Sequence, residues 1–165
     1  MQYHARCIEN SYGGPFDLKV TIPSHNTTRN GVSHLDEIIS RVRNFPSEWT
    51  REVLVKNHAS RAETRRGRII TDLFTASPEV SGKRILLFDD TYTTGGTMGS
   101  AAHALKERGA TKVVGLTLGR QLRADWSNSR DFVASLGDRE LDMNQCAVHA
   151  TGREDPFGFF FQQSG

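Results

Sequence analysis

The sequence predicts a single α/β domain built on an open, mostly parallel sheet flanked by helices. Its 165 residues suit one domain with a proper core and are too few for two ordinary domains. Short segments of strand type alternate with segments of helical periodicity, the pattern typical of such a sheet. The segment 84–88 is apolar without interruption after its first residue, as strands buried on both faces are.

The predicted strands have either alternating or continuous apolar residues. They are placed at residues 18–22, 52–56, 84–88, 113–118 and 145–150. A capping box of Ser33 and Asp36 predicts a helix that ends before Pro46, and Gly109 stops a helix predicted over 97–108. A helix is also predicted over 126–136. Helical spacing predicts one more short helix, stopped near Pro78, from Ile69, Ile70, Leu73 and Phe74.

Composition excludes several classes of protein. The formal net charge is only +2, which gives no case for a nucleic-acid partner. No apolar run approaches the length that spans a bilayer, and the N-terminus lacks the pattern of a secretory signal, so no membrane partner is expected. Cys7 and Cys146 cannot build a disulfide framework, which favours a cytoplasmic location. The histidines show no pair at metal-ligand spacing on one helix, so no zinc site is predicted.

The stretch from Asp89 to Thr97 carries the predicted chemistry. Two adjacent carboxylates follow a buried strand, at the edge where open α/β sheets bind ligands. Their repulsion is offset best by a diol or a cation. Hydroxyls and glycines then lead into a helix N-terminus, which favours an anion. A ribose 5-phosphate offers both groups. The alternative interpretation is that the two acids bind no ligand and lie in a solvated turn. No lysine follows Gly95 or Gly96, so the loop is not a Walker A motif.

Residues 85–97, with the sequence ILLFDDTYTTGGT, resemble the motif by which type I phosphoribosyltransferases bind 5-phosphoribosyl-1-pyrophosphate (PRPP). The resemblance implies that family's fold, with a core over about 17–118 and a small hood from the chain ends, 1–16 and 119–165. It implies that Asp89 and Asp90 hold the ribose hydroxyls, directly or through Mg²⁺. It also implies a 5-phosphate cradle made of Thr91, Thr93, Thr94, Gly95, Gly96 and Thr97.

A looser resemblance links residues 17–118 to the ComF-like subgroup of that family. It rests on Val20-Thr21-Ile22-Pro23-Ser24 with Arg29-Asn30-Gly31-Val32-Ser33, and on Val53 to Lys56 with Arg61 to Thr64 and Arg68. The subgroup's zinc-binding cysteines are missing, and its glutamine after the basic stretch is not evident.

Two segments are candidates for binding the pyrophosphate. One is the turn at Ser24, His25 and Asn26, which resembles the family's pyrophosphate loop. The other is the basic stretch from Lys56 to Arg68, in which Glu63 is the only acid. Residues 57–68 occupy the place of the family's flexible loop. The stretch predicts catalytic roles for Arg61, Arg65 and Arg66, and a pyrophosphate contact for Lys56. A solvated basic face is an equally good interpretation of any one arginine.

The acceptor is the least determined part of the prediction. In the 6-oxopurine branch of the family an aspartate stands where this chain has Thr93, which cannot serve as an acid or base near neutral pH. Hypoxanthine and guanine are therefore disfavoured. Trp126 could stack on a base or pack in the core. Four phenylalanines near the C-terminus point to hood core or a homodimer contact: Phe157, Phe159, Phe160 and Phe161.

Three functions remain open from the sequence, and the weakest is a reaction with water or an unusual acceptor that gives hydrolysis or a C–C or C–N bond outside salvage. The first is an enzyme of nucleotide metabolism that uses Mg²⁺ and transfers the phosphoribosyl group of PRPP to a nitrogenous base or related acceptor, releasing pyrophosphate. The second is a regulatory or competence-type protein that binds PRPP or a nucleotide without catalysis. The basic loop favours the enzyme, because a sensor needs no group that closes over a leaving group.

Overall fold

The computed structural model describes residues 5–23, 34–40, 49–50, 52–57, 67–122, 125 and 127–136. Within these ranges the chain forms four α-helices, one short 3-10 helix (Pro78–Val80) and five strands. The helices are α1 (Ala5–Ser11), α2 (His34–Ser40), α3 (Gly96–Glu107) and α4 (Ser127–Leu136). The strands are β1 (Leu18–Thr21), β2 (Leu54–Lys56), β3 (Phe74–Ala76), β4 (Arg84–Tyr92) and β5 (Lys112–Arg120).

The main sheet of the described residues has the order β1-β4-β5, and both of its strand pairs are parallel. Leu18 lies opposite Ile85, and Ile85 lies opposite Val113, so the three strands begin at one edge and end at the other. The fold is therefore α/β with a mostly parallel sheet flanked by helices, as the sequence predicts.

Strand β4 is the centre of the core. Its residues Ile85 to Phe88 are all buried, which confirms that the strand is covered on both faces. Helix α3 packs against β4, β5 and β3. The Trp49 ring lies 5.4 Å from that of Phe88 in a tilted arrangement. Burying each large apolar side chain contributes roughly 1.5–3 kcal/mol, so these four residues contribute strongly to the stability of the fold.

A second, two-stranded sheet pairs β2 with β3 in antiparallel fashion. This corrects the prediction of a short helix through Ile69, Ile70, Leu73 and Phe74, because Phe74 begins β3 and pairs with Lys56. Gly67 has a left-handed φ of +85°, which a regular helix does not allow. The apolar spacing was ambiguous because short apolar runs fit either a strand or a helix.

Strand β4 also extends further than the sequence predicts. Asp89 pairs with Thr117 and Tyr92 with Arg120, so the two aspartates belong to the strand and not to a loop. The helix predicted over 126–136 is confirmed as α4, whereas α1 was not predicted. The capping box at Ser33 and the strand predicted over 145–150 lie outside the described residues.

Cations at the amino edge of the main sheet hold the chain that leads from α1 into β1. The Arg84 guanidinium donates hydrogen bonds to the carbonyls of Tyr12 (2.7 Å), Gly14 (3.3 Å) and Pro15 (3.1 Å). Lys112 donates to the Tyr12 carbonyl at 2.7 Å and lies over its ring. In the described parts of the chain no helix has the length and apolarity needed to cross a lipid bilayer.

Candidate functional site

The two carboxylates predicted to act on the ligand lie at the carboxyl end of β4. The backbone N–H of Asp90 donates to a carboxylate oxygen of Asp89 at 3.0 Å. The pKa of Asp89 is raised to about 6, mainly by burial and also by the nearby Asp90 carboxyl, against the opposing effects of the backbone hydrogen bond from Asp90 and the charge of Lys56. The strand thus holds two acids together at a desolvated edge.

Lys56 connects the second sheet to this edge. It ends β2, and its ammonium lies 5.9 Å from the ring centre of Phe74. Burial lowers the pKa of Lys56, and the negative charge of Asp89 opposes this shift. The structure therefore brings Lys56, which the sequence assigned to a pyrophosphate contact, close to one of the two carboxylates.

The threonine- and glycine-rich stretch forms the turn between β4 and α3. Gly95 precedes the helix with a left-handed φ of +81°. A Cβ at Gly95 would meet the Tyr92 phenol, with its Cζ atom only 2.9 Å away, so glycine is required here. No side chain of the described residues caps this end of α3. The N–H groups of its first turn therefore have no side-chain acceptor at the N-cap, and such a helix end binds an anion favourably.

Three of the four threonines between Thr91 and Thr97 are exposed, whereas the two glycines are not. Thr93 and Thr97 are exposed, Gly95 is half-buried and Gly96 is buried. The Thr91 side chain is also exposed, and Thr94 is half-buried against Gly67. The exposed surface of this segment thus carries threonine side chains, whereas its glycines are partly or fully buried.

A segment that follows the basic stretch packs directly on this turn. A Cβ at Gly96 would lie 2.8 Å from the carbonyl oxygen of Arg68, and one at Gly99 would lie 2.9 Å from Ile69. The hydroxyl of Ser100 accepts a hydrogen bond from the Ile70 N–H at 2.8 Å. Sequence reasoning missed this contact, since nothing in the local pattern of residues 67–70 indicates which helix they cover.

The carboxyl end of β5 adds residues that the sequence did not single out. The Thr93 hydroxyl donates to the side-chain carbonyl of Gln121 at 3.4 Å, and the Arg120 guanidinium lies 5.6 Å from the ring centre of Tyr92. The position of Arg120 and Gln121 in the sequence could have indicated them, because residues at the carboxyl end of a parallel strand lie at the ligand-binding edge of the sheet.

Several predicted site residues lie outside the described residues. They are Arg61, Arg65 and Arg66 of the basic stretch, and Ser24, His25 and Asn26 of the predicted pyrophosphate turn. The same holds for Trp126 and for the four phenylalanines of 157–161. Of the predicted residues that the structure describes, Lys56, the two aspartates and the turn from Thr91 to Thr97 gather at one edge of the molecule.

The described residues contain no cluster of three or more His, Cys, Asp or Glu that could hold a metal ion. Paired carboxylates still suit Mg²⁺, which is usually held by one or two carboxylates together with water and substrate phosphates. The chemistry of Asp89 and Asp90 therefore fits a magnesium ion that arrives with a phosphorylated ligand.

The family model of the phosphoribosyl transferase domain matches residues 27–136 of the chain. The match covers more than half of the chain and includes every element from α2 to α4. The chain therefore belongs to the phosphoribosyl transferase domain family. No curated protein and no solved structure matches the chain significantly.

Proposed function

We propose that this protein binds PRPP with Mg²⁺ and transfers its phosphoribosyl group to a nitrogenous base or related acceptor, releasing pyrophosphate. The observation that carries the proposal is the arrangement at the end of β4, where two carboxylates are followed at once by a glycine turn and an uncapped helix end. One end of a phosphorylated sugar carries a diol, and the other carries a dianion. The family match supports phosphoribosyl transfer in general terms.

The phosphate end of the ligand would lie on the turn from Thr93 to Thr97. The first-turn N–H groups of α3 and the threonine hydroxyls are hydrogen-bond donors, and the helix dipole adds a favourable field. The left-handed Gly95 allows the chain to turn sharply without a side chain in the way.

The ribose end would lie against Asp89 and Asp90. A partly desolvated carboxylate is a strong hydrogen-bond acceptor, and two sugar hydroxyls can satisfy the pair together. When Mg²⁺ is bound, it supplies positive charge that offsets the repulsion between the carboxylates and the charge on the departing pyrophosphate. These two aspartates are the residues that would hold it.

Catalysis would depend on charge and position. Loss of pyrophosphate places positive charge on the ribose ring, which the carboxylates of Asp89 and Asp90 stabilise. Negative charge grows on the leaving group, and we assign its stabilisation to Lys56, to the arginines Arg61, Arg65 and Arg66, and to the backbone at Ser24, His25 and Asn26. Holding the acceptor beside the reacting sugar carbon would supply the remaining rate enhancement.

The chain's own residues bear on the acceptor. Thr93 carries neither an acid nor a base for neutral pH, and it hydrogen-bonds to Gln121 rather than to a titratable group. This supports an acceptor other than hypoxanthine or guanine. The absence of an acid or base at Thr93 is also compatible with the ComF-like alternative, in which the protein binds PRPP or a nucleotide as a signal without transfer.

The test is pyrophosphate release from PRPP and Mg²⁺ with a panel of pyrimidine and purine bases, ammonia and water, alongside calorimetric binding of PRPP. Release that depends on one acceptor supports the enzyme. Tight PRPP binding without release under any condition supports the regulatory protein. Absence of PRPP binding contradicts both. A soak of crystals with PRPP and Mg²⁺ would show which side chains face the sugar carbon that reacts.

A further inference from the structure

The segment Gly67 to Ile70 lies directly on the first turn of α3. The Arg68 backbone approaches Gly96 so closely that a Cβ there would lie 2.8 Å from its carbonyl oxygen and 3.4 Å from its nitrogen. Gly67, one residue earlier, faces Thr94. A Cβ at Gly67 would lie 3.6 Å from the Thr94 Cβ and 3.8 Å from the Thr94 carbonyl oxygen. The segment thus touches the turn that we assign to the 5-phosphate.

A buried serine fixes this contact. Ser100 is fully buried, and its hydroxyl donates to the Gly96 carbonyl at 2.7 Å while it accepts from the Ile70 N–H at 2.8 Å. One side chain therefore ties the first turn of α3 to the segment across it. Because the bonded groups are shielded from water, loss of the hydroxyl would leave the Ile70 N–H without its acceptor.

Arg68 is the one charged residue of the segment Gly67 to Ile70. Arg68 is exposed, and its backbone is held within van der Waals distance of the helix end at which the phosphate is expected. A guanidinium is planar and offers paired donors that match phosphate oxygens. The other described arginines at the sheet edges have different tasks, since Arg84 binds backbone carbonyls and Arg120 stacks on Tyr92.

We propose that Arg68 binds the 5-phosphate of the phosphorylated sugar and that Ser100 is the positioning residue that holds Arg68 beside it. This inference rests on the proposed function, because it adds a residue to the same ligand site. It differs from the assignments made to Arg61, Arg65 and Arg66, which concern the pyrophosphate. The contact at Gly96 places the Arg68 backbone beside the turn that we assign to the 5-phosphate, which is the other end of the sugar.

The experiment measures binding of ribose 5-phosphate and PRPP by calorimetry to the full chain and its variants. Arg68→Ala should weaken both ligands roughly tenfold, as loss of a charge-assisted hydrogen bond does, and Arg68→Lys should restore part of the affinity. Arg108→Ala is the matched control, because it removes an exposed arginine at the other end of α3 and should leave both affinities unchanged.

Ser100 is tested through its dependence on Arg68. Ser100→Ala should weaken ribose 5-phosphate severalfold in the wild-type background and should have little further effect in Arg68→Ala, because neighbouring groups that act together are not additive. A serine with a purely structural role would weaken binding equally in both backgrounds, and that result would overturn its assignment. Should Ser100→Ala fail to fold, Ser100→Cys takes its place, because the thiol fills the site but accepts only a weak hydrogen bond from the Ile70 N–H, and the same dependence on Arg68 is expected.

Failure of the inference and failure of the proposed function give different results. If the wild-type chain binds both ligands and Arg68→Ala matches Arg108→Ala, the assignment of Arg68 is wrong and the proposed function stands. If the wild-type chain binds neither ligand, both are wrong. Because Arg68 is exposed, its variants should fold, so these measurements decide the question directly.

Discussion

The two edges of the main sheet use charge in opposite ways. At the amino edge, the side chains of Arg84 and Lys112 donate hydrogen bonds to backbone carbonyls between Tyr12 and Pro15. The Asp17 carboxylate accepts a hydrogen bond from the Arg84 backbone N–H at 2.7 Å. These groups satisfy one another within the chain. At the carboxyl edge, Asp89 and Asp90 stand together at a desolvated strand end, where burial raises the pKa of Asp89 to about 6.

The difference separates structural charge from functional charge. A cation whose hydrogen bonds go to backbone carbonyls stabilises the fold and is held away from a ligand. Two adjacent acids raise the free energy of the folded state, because like charges repel and burial removes their water. Such an arrangement is favourable only when a ligand or a cation supplies the missing partners, which is the usual signature of a functional site.

The largest expected effect removes the charges at the carboxyl edge. The double substitution of Asp89→Asn and Asp90→Asn should weaken PRPP binding by more than about a hundredfold, since charged partners to hydroxyls and Mg²⁺ are lost while shape is kept. Calorimetry measures the affinity, and circular dichroism checks the fold. The matched control is Glu79→Gln with Asp131→Asn, two exposed acids elsewhere. Retained affinity in the aspartate variant would discredit the site.

Removal of the main cation at the amino edge should act on stability and not on binding. Arg84→Ala loses three hydrogen bonds to carbonyls, and we expect the free energy of unfolding to fall by about 2–3 kcal/mol. Urea denaturation measures this, with Arg108→Ala as the control. Ribose 5-phosphate affinity should stay unchanged at a temperature where the variant is folded. A large loss of affinity would mean that the two edges are not separate.

A smaller effect is expected where backbone packs on the phosphate turn. Gly96→Ala places a methyl group 2.8 Å from the Arg68 carbonyl oxygen, so the segment must shift. We expect about a tenfold loss of ribose 5-phosphate affinity, equal to roughly 1.4 kcal/mol. The control is Gly119→Ala in β5, because Gly119 has no positive φ and nothing lies within 4 Å of the position of its Cβ. Equal affinities for the two variants would contradict the contact.

The smallest effect concerns stability and pH in the absence of metal. Because the pKa of Asp89 rises from 3.8 to about 6 on folding, the unfolded state binds fewer protons between these values. The contribution of Asp89 to stability is therefore best below about pH 4, falls as the pH rises to about 6 and is constant above. Because Asp89 is partly exposed, solvent screening reduces the cost to about 1 kcal/mol at pH 7.

Asp89→Asn should remove that cost. In buffer with a chelator, the variant should be more stable than the wild type by about 1 kcal/mol at pH 7, and the two should converge near pH 4. Thermal and urea denaturation at several pH values measure the difference. Asp131→Asn, at an exposed position on α4, should show no such gain. A variant that is less stable than the wild type at pH 7 would show that Asp89 serves the fold.

Local pattern determined the strand, turn and helix that carry the site. The uninterrupted apolar run before Asp89 predicted a strand buried on both faces, and Gly95 and Gly109 marked the limits of α3 to within a residue or two. The two acids, the threonines and the glycines are consecutive in sequence, so their proximity needed no knowledge of distant contacts. The family match over residues 27–136 agrees with this prediction.

Only the tertiary structure decided which distant residues join that motif. Ile70 meets Ser100, Thr93 meets Gln121, and Lys56 lies near Asp89, each across a long stretch of chain. Periodicity carries no information on such pairs, because it reports which face of an element is apolar and not what covers it. The same limit explains why Phe74 was predicted in a helix, since its partner Lys56 in the antiparallel pair determines its conformation.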